Sequence, residues 1–203
     1  MTALQDSILV VEDAPGEAVL RRILADAAPH WSVNTVIDCK GFGQMRADMA
    51  RFRNASHVYP HVLLTDLDTH ACPAALLEDW KVKSEPPRLI FRIAVREVEA
   101  WLLGDRDGVA ALLNIAKSKV PANPEAEPDP KQRLINLART SRSTRIALEF
   151  CPAAGSKASQ GPLYNERVTR FLREDWSLDA ARTVVPSLDR ACRRIAESAG
   201  YAT

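Results

Sequence analysis

The chain has 203 residues, of which 46% are hydrophobic and 26% charged, values that are ordinary for one globular domain with elaborations. Its 27 basic and 26 acidic side chains leave a net charge of +1, which excludes a protein held to nucleic acid by gross positive charge. The charge is nevertheless unevenly divided, because residues 1–105 are net acidic and residues 106–203 are net basic.

The bulk pattern also predicts a cytoplasmic protein without membrane association. No stretch approaches the roughly 20 consecutive apolar residues of a membrane-spanning helix. The first residues lack the basic region of a secretory signal and soon include acids. The cysteines are scattered without a C-x-x-C pair, so we expect free thiols in a reducing compartment. They are Cys39, Cys72, Cys151 and Cys192.

In chain order, short apolar runs alternate with segments of helical periodicity, and this alternation predicts strands separated by helices. The predicted strands are residues 7–11, 31–37, 62–64 and 89–95. The predicted helices are residues 17–28, 44–52, 73–80 and 97–113, the last broken near Gly104. Such alternation predicts an α/β core over residues 1–118, with a mainly parallel sheet flanked by helices.

A proline-rich segment at residues 119–130 follows this core and predicts a loop or linker. Beyond it, helical periodicity covers residues 131–147, 164–174 and 187–198, which predicts a C-terminal helical extension over residues 131–203. Because three short helices alone make a thin core, we expect the extension to pack on the α/β core.

Three carboxylates follow predicted strands, Glu12 after the first and Asp66 and Asp68 after the third. In parallel α/β sheets, ligands bind at the carboxyl ends of the strands, and strand alternation points Asp66 and Asp68 to the same side. Close carboxylates repel each other unless a cation neutralises them or one takes a proton. The pattern predicts an oxygen-ligated Mg²⁺ or Mn²⁺. The alternative is that short polar residues end strands and cap the next helix.

The opening strand and its two acids are also typical of a receiver domain. In that interpretation Glu12 and Asp13 would bind Mg²⁺, and Asp66 or Asp68 would accept a phosphoryl group. The spacing from Asp13 to Asp66 is longer than receivers generally use, and no fifth strand ending in Lys-Pro is predicted. A receiver-like phospho-acceptor domain is therefore the remote alternative.

Several segments together carry a resemblance to a known family. They are residues 10–12, 17–22, 40–43, 64–68, 96–105, 155–157 and 164–166. With its acid at Glu12 and its D-x-D at Asp66 and Asp68, the chain resembles the Toprim fold of topoisomerases, primases and OLD (overcoming-lysogenisation-defect) nucleases. Within that fold it resembles domain-of-unknown-function family 4276 (DUF4276). Toprim domains usually carry glycine after the first acid, whereas this chain has Asp13, and Gly16 is expected to supply the flexibility.

The resemblance implies a Toprim-like fold and a nuclease that cleaves phosphodiester bonds of DNA or RNA with one or two Mg²⁺ (or Mn²⁺) ions. The implied metal ligands are Glu12, Asp66 and Asp68, and the further catalytic candidates are Glu97, Glu99 and Lys157. The resemblance also implies an SMC-like or AAA-type ATPase partner in a mobile-element or phage-defence system. An oligomeric protein is compatible with the resemblance. The alternative is a non-catalytic Toprim-like module that binds such an ATPase.

The candidates outside the strand-end acids have structural alternatives. A negative charge at Glu97 would stabilise a helix N-terminus, and Lys157 would equally suit a solvated loop. Arg139, Arg142 and Arg145 recur every three residues along a predicted helix and could contact a nucleic-acid backbone, or they could form a plain exposed face.

Overall fold

The computed structural model describes residues 4–82 and 86–200. The chain divides into two compact units. Unit 1 comprises the described residues up to Val95 and those from Ser187 onward, and unit 2 comprises Arg96–Pro186. Sequence analysis places the first boundary later, at residue 118, and assigns the last helix to the extension. That helix belongs to unit 1, where the Val95 amide donates to Ser187 Oγ at 3.4 Å.

Unit 1 contains a parallel four-stranded sheet, and its strand order in the described residues is β2-β1-β3-β4. The strands are β1 (Gln5–Val11), β2 (Trp31–Asp38), β3 (His61–Asp66) and β4 (Leu89–Ala94). Adjacent strands align Val10 with Leu63 and Leu63 with Phe91. The predicted α/β class with a parallel sheet is confirmed, because buried parallel strands need helical crossovers on their faces.

Helices flank this sheet and make up the regular structure of unit 2. They are α1 (Ala14–Ala27), α2 (Phe42–Ala55), α3 (Pro73–Asp79), α4 (Val98–Leu103), α5 (Arg106–Leu113), α6 (Pro130–Arg139), α7 (Thr144–Phe150), α8 (Tyr164–Glu174), α9 (Leu178–Arg182) and α10 (Pro186–Ser198). In the described ranges, none is both long and apolar enough to cross a membrane.

The core of unit 1 lies between the sheet and its helices. Buried Val10 and Leu63 from the two central strands pack with Phe52 of α2. Trp80, which directly follows α3, stacks on Phe91 of β4 with ring centroids 5.3 Å apart. This apolar layer anchors α2 and α3 to the sheet.

Unit 2 begins with the interrupted helix that the sequence predicts. A Cβ atom at Gly104 would lie 2.6 Å from Val185 Cγ2, so a side chain does not fit there. The buried Asp105 then caps α5, since its Oδ1 accepts from the Gly108 amide at 3.0 Å. Its Oδ2 accepts from the Ser177 amide at 2.9 Å, at the start of α9. One carboxylate therefore fixes two helix ends.

The single helix predicted over residues 131–147 is wrong, because the chain forms α6 and α7 with a break between them. The Thr140 hydroxyl donates to the Leu137 carbonyl at 2.9 Å, and Ser141 Oγ accepts from the Ser143 amide at 3.0 Å. Short polar side chains that bond the local backbone in this way compete with helix hydrogen bonds. Apolar periodicity continues across the break and conceals it.

The proline-rich segment between α5 and α6 packs on unit 2. Val120 and Pro124 are buried. Arg106 Nη2 donates to the Val120 carbonyl at 3.1 Å, and Arg133 Nη2 donates to the Lys119 carbonyl at 3.1 Å. These contacts make it a fixed loop of unit 2, although its composition equally suits a linker.

Replacing Asp105 with alanine should destabilise the protein strongly. The variant loses the cap of α5 and leaves the Ser177 amide without its acceptor, which should cost about 2–4 kcal/mol in urea denaturation. The matched control is Asp107→Ala, since Asp107 is exposed and pairs with Lys117 on the surface at 2.7 Å. The control should cost at most about 1 kcal/mol. Equal effects of the two substitutions would contradict the role assigned to Asp105.

Candidate active site

The carboxyl ends of β1 and β3 place Glu12 beside Asp66. Glu12 directly follows β1, and its Oε1 accepts a hydrogen bond from the Thr65 hydroxyl. The same oxygen accepts from the Asp66 backbone amide at 3.3 Å. Because β1 and β3 are adjacent parallel strands, their carboxyl ends meet at one edge of the sheet.

The Glu12 carboxyl group has a raised pKa. Burial is the main cause, since it disfavours the charged form. The hydrogen bonds from Thr65 and from the Asp66 amide oppose this shift, whereas the negative charges of Asp68 and Asp13 reinforce it. Glu12 is therefore a half-buried acid beside like charges, which is the condition that favours proton uptake or a bound cation.

Asp68 lies on the exposed rim next to Glu12. The Leu67 amide still bonds the Ala94 carbonyl at 2.9 Å, but β3 ends at Asp66 and the Asp68 backbone is left-handed, with φ of 48°. The alternation of side chains along β3 therefore does not extend to Asp68. The expectation that this alternation points Asp66 and Asp68 to the same side loses its basis. Partial burial of its carboxyl group raises the Asp68 pKa, and the neighbouring His70 opposes that shift.

Asp13, which stands where Toprim domains usually have glycine, caps α1. Its Oδ1 accepts from the Gly16 amide at 2.9 Å. Its backbone is extended, with φ of −160°, a conformation open to any residue, so no glycine is needed there. The expectation that Gly16 supplies the flexibility is wrong, because Gly16 lies within α1. The cap also commits one Asp13 oxygen that the receiver interpretation would give to Mg²⁺.

A chain of polar contacts leads from His70 through Asp79 to Arg46. His70 Nδ1 lies 3.2 Å from the Leu67 carbonyl, and its Nε2 lies 3.5 Å from Asp79 Oδ2. Arg46 Nη2 donates to Asp79 Oδ1 at 2.9 Å. These contacts tie the segment that carries Asp68 to α2 and to the end of α3.

The carboxylate oxygens of Glu12 and Asp68 are ligands of the type that a partly hydrated hard cation prefers. In residues 4–82 and 86–200, no three His, Cys, Asp or Glu side chains converge into a ready-made metal cluster. Mg²⁺ usually keeps several waters and takes only one or two carboxylates from the protein, so it does not need such a cluster. Glu12 and Asp68 supply oxygen donors whose raised pKa values a nearby cation would lower.

Glu97 and Glu99, the acids predicted as further catalytic candidates, belong to unit 2 and have partners there. Glu97 Oε2 accepts from the Lys131 amide at 2.9 Å, in the first turn of α6. Glu99 is buried, and its Oε1 accepts from the Tyr164 hydroxyl at 2.9 Å. Lys131 Nζ lies 5.3 Å from the centre of the Tyr164 ring. Both glutamates thus hold parts of unit 2 together, and Glu97 does so at a helix N-terminus.

The predicted cations also lie in unit 2, and all are exposed. Lys157 is in the loop between α7 and α8. Arg139 ends α6 and donates to Asn136 Oδ1 at 2.8 Å, Arg142 lies in the break, and Arg145 of α7 donates to Glu149 Oε1 at 2.7 Å. The sequence periodicity places the three arginines on one helix, but in the structure they do not share one.

Sequence reasoning missed Thr65 as a residue of this site. A threonine directly before the first acid of the D-x-D motif, at the end of a buried strand, is the signal that could have identified it. Its side chain is buried and its hydroxyl faces the Glu12 carboxylate of the adjacent strand. Only the pairing of β1 with β3 makes this contact.

Replacing Glu12 with glutamine should stabilise the protein above neutral pH. Because the folded state holds the Glu12 pKa above its ordinary value of about 4.3, ionisation costs stability as pH rises from that value through the raised pKa. The variant removes this ionisation, so its free energy of unfolding should exceed that of the native protein at high pH and converge with it in acid. Thermal unfolding across pH without divalent cations measures this.

The matched control for this substitution is Glu78→Gln, at an exposed carboxylate on α3. It should show no gain that grows with pH. A Glu12→Gln variant that is no more stable than the native protein above neutral pH would contradict the raised pKa of Glu12.

Comparison with known proteins gives a family and a structural likeness. A search of curated proteins finds no match. Among solved structures, the chain is similar to the C-terminal region of the Burkholderia pseudomallei OLD protein, with a TM-score of 0.48 and 16% sequence identity over 95% of this chain and 98% of that one. The family described as Domain of unknown function (DUF4276) matches residues 11–160, a range that takes in the strand-end acids and Lys157. The chain belongs to the DUF4276 family.

Proposed function

We propose that this protein is a Mg²⁺- or Mn²⁺-dependent nuclease that hydrolyses phosphodiester bonds of DNA or RNA. The observation that carries the proposal is the Glu12 carboxylate, half-buried and held by Thr65 and the Asp66 amide beside the negative charge of Asp68. Clusters of acids with raised pKa values are costly to a fold, and they are concentrated at functional sites. The edge of a parallel sheet is also where such folds bind ligands.

In this proposal Glu12, Asp66 and Asp68 would hold the cation, one or two of them directly and the rest through its bound waters, since no three of these groups converge in the described residues. When bound, the ion would neutralise the phosphate and lower the pKa of an attacking water. The Thr65 hydroxyl and the Asp66 amide keep Glu12 Oε1 in place.

Exposed cations of unit 2 support a nucleic-acid substrate. Lys157, Arg139 and Arg142 are exposed, and Lys and Arg side chains contact phosphates without reading sequence. The net charge of +1 fits a protein that engages nucleic acid through such local contacts. The Toprim resemblance of the sequence further supports an SMC-like or AAA-type ATPase partner in a mobile-element or phage-defence setting.

Cleavage assays on labelled single- and double-stranded DNA and RNA test this function. With Mg²⁺ or Mn²⁺, and with or without the ATPase of a neighbouring gene, the native protein should cut at least one substrate. The Asp66→Asn/Asp68→Asn double variant should lose activity by about a hundredfold or more. Asp26→Asn, at a partly exposed residue of α1, is the matched control and should cut normally.

Two outcomes would overturn the nuclease proposal. The first is cleavage that persists unchanged in the double variant, which would indicate a contaminant. The second is the absence of cleavage with every substrate, ion and partner. A non-catalytic module that binds the ATPase would then be the better interpretation.

Arg142 should contribute one phosphate contact to nucleic-acid binding. Replacing it with alanine should weaken binding similarly for all sequences and reduce the slope of log affinity against log salt concentration by about 1. Fluorescence anisotropy of a labelled oligonucleotide at several salt concentrations measures the slope. Arg51→Ala, at an exposed arginine on α2, is the control and should leave the slope unchanged. Equal slopes for the Arg142 variant and the native protein would remove Arg142 from the interface.

A further inference from the structure

Unit 1 contains a cavity of about 300 Å³ that the proposed nuclease chemistry does not use. It lies among α2, the turn after α3 and the start of β4. Leu89, in its wall, begins β4 and pairs with His61 at the start of β3. Since the strands are parallel, Leu89 lies at the opposite edge of the sheet from Glu12 and Asp66. The end of the cavity at Leu89 therefore lies away from the candidate active site, whereas Arg46 at its other end is connected through Asp79 and His70 to the segment that carries Asp68.

The floor of this cavity is apolar. Met49, Trp80, Val82 and Leu89 line it, and both Trp80 and Leu89 are at least nine-tenths buried. The buried Nε1 of Trp80 has no hydrogen-bond partner among the described residues. A concave apolar surface with a few polar groups at its margin is the usual form of a small-molecule site.

Cationic side chains line the same cavity. Arg46 is anchored through Nη2, which donates to Asp79 Oδ1 at 2.9 Å and to the Asp79 carbonyl at 3.0 Å. Neither its Nε nor its Nη1 forms a hydrogen bond with the described part of the chain. Lys81 is exposed, and Arg53 also lines the cavity. The described lining includes no carboxylate, and although Asp79 pairs with Arg46 at its margin, the exposed Lys81 supplies a positive charge that complements an anion.

Lys81 occupies a backbone conformation that favours glycine. Its φ is 57°, and it follows α3 in the turn where the Lys81 amide bonds the Glu78 carbonyl at 3.0 Å and the Val82 amide bonds the Leu77 carbonyl at 2.8 Å. Helices that end in this way usually have glycine at the left-handed position. A lysine there is less stable than glycine would be, and local backbone strain of this kind is concentrated at functional sites.

We propose that this cavity binds a small organic phosphate, with its apolar body on the floor and its phosphate between Lys81 and Arg46. An arginine held at one end and an exposed lysine form a suitable pair for a phosphate, because guanidinium presents a fixed fork and ammonium a compact charge. The volume lies at the low end for small-molecule pockets, which indicates a body about the size of one ring.

Calorimetric titration with phenyl phosphate tests the proposal. Phenyl phosphate should bind the native protein, whereas inorganic phosphate and phenol, which each carry half of the recognition, should bind at least about tenfold more weakly. Lys81→Gly should weaken phenyl phosphate binding on the order of tenfold while its unfolding temperature stays equal or rises. Loss of binding without loss of stability separates a ligand contact from a structural role.

Two further variants make the test specific. Lys40→Gly removes one positive charge at another left-handed lysine, with φ of 53°, outside the cavity lining, and it should bind phenyl phosphate normally. Ala50→Trp, at an exposed position of α2 in the lining, should fill the cavity and abolish binding. The proposal is overturned if phenyl phosphate does not bind at millimolar concentration, if inorganic phosphate binds equally well, or if the Ala50→Trp variant binds like the native protein.

Discussion

The parallel pairing of β1 with β3 is the constraint on which the candidate active site depends. Both strands are buried where they align, with Val10 and Leu63 fully enclosed, so their register is set by the core. That register brings the residue after β1 level with the end of β3. Glu12 can then accept hydrogen bonds from the Thr65 hydroxyl and from the Asp66 amide, 53 and 54 positions away in the chain. A shift of the register between β1 and β3 by one residue would turn these side chains to the other face of the sheet and separate the residues of the site.

The buried carboxylates of unit 2 and the half-buried Glu12 of unit 1 differ in what surrounds them. In unit 2, Asp105 accepts two backbone amides and Glu99 accepts the Tyr164 hydroxyl, and these bonds join segments distant in sequence. In unit 1, Glu12 also accepts two hydrogen bonds, but burial and the charges of Asp68 and Asp13 still raise its pKa. Hydrogen bonds to a buried acid hold a fold together, whereas neighbouring negative charges weaken it. The surroundings of Glu12 are therefore better explained by a functional role than by a contribution to the stability of the fold.

Left-handed backbone at a residue other than glycine occurs at both proposed sites of unit 1, although Lys40 has it outside them. Asp68 has φ of 48° beside Glu12, and Lys81 has φ of 57° at the cavity lined by Arg46. Each follows a regular element at the point where the chain turns, and each presents a charged side chain that glycine would lack. The stability that such residues forgo is small, and the surrounding core compensates for it.

The sequence by itself determined the order of strands and helices up to residue 113, the α/β class, the acids that follow two strands and the break at Gly104, because these depend on local periodicity and on residue types that end helices. Only the tertiary structure decided the strand order, the left-handed turn at Asp68 and the contact of Thr65 with Glu12. It also showed that short polar side chains split the helix predicted over residues 131–147. Local patterns report which face of a segment is buried. They do not report which distant segment covers it, because that depends on packing among elements far apart in the chain.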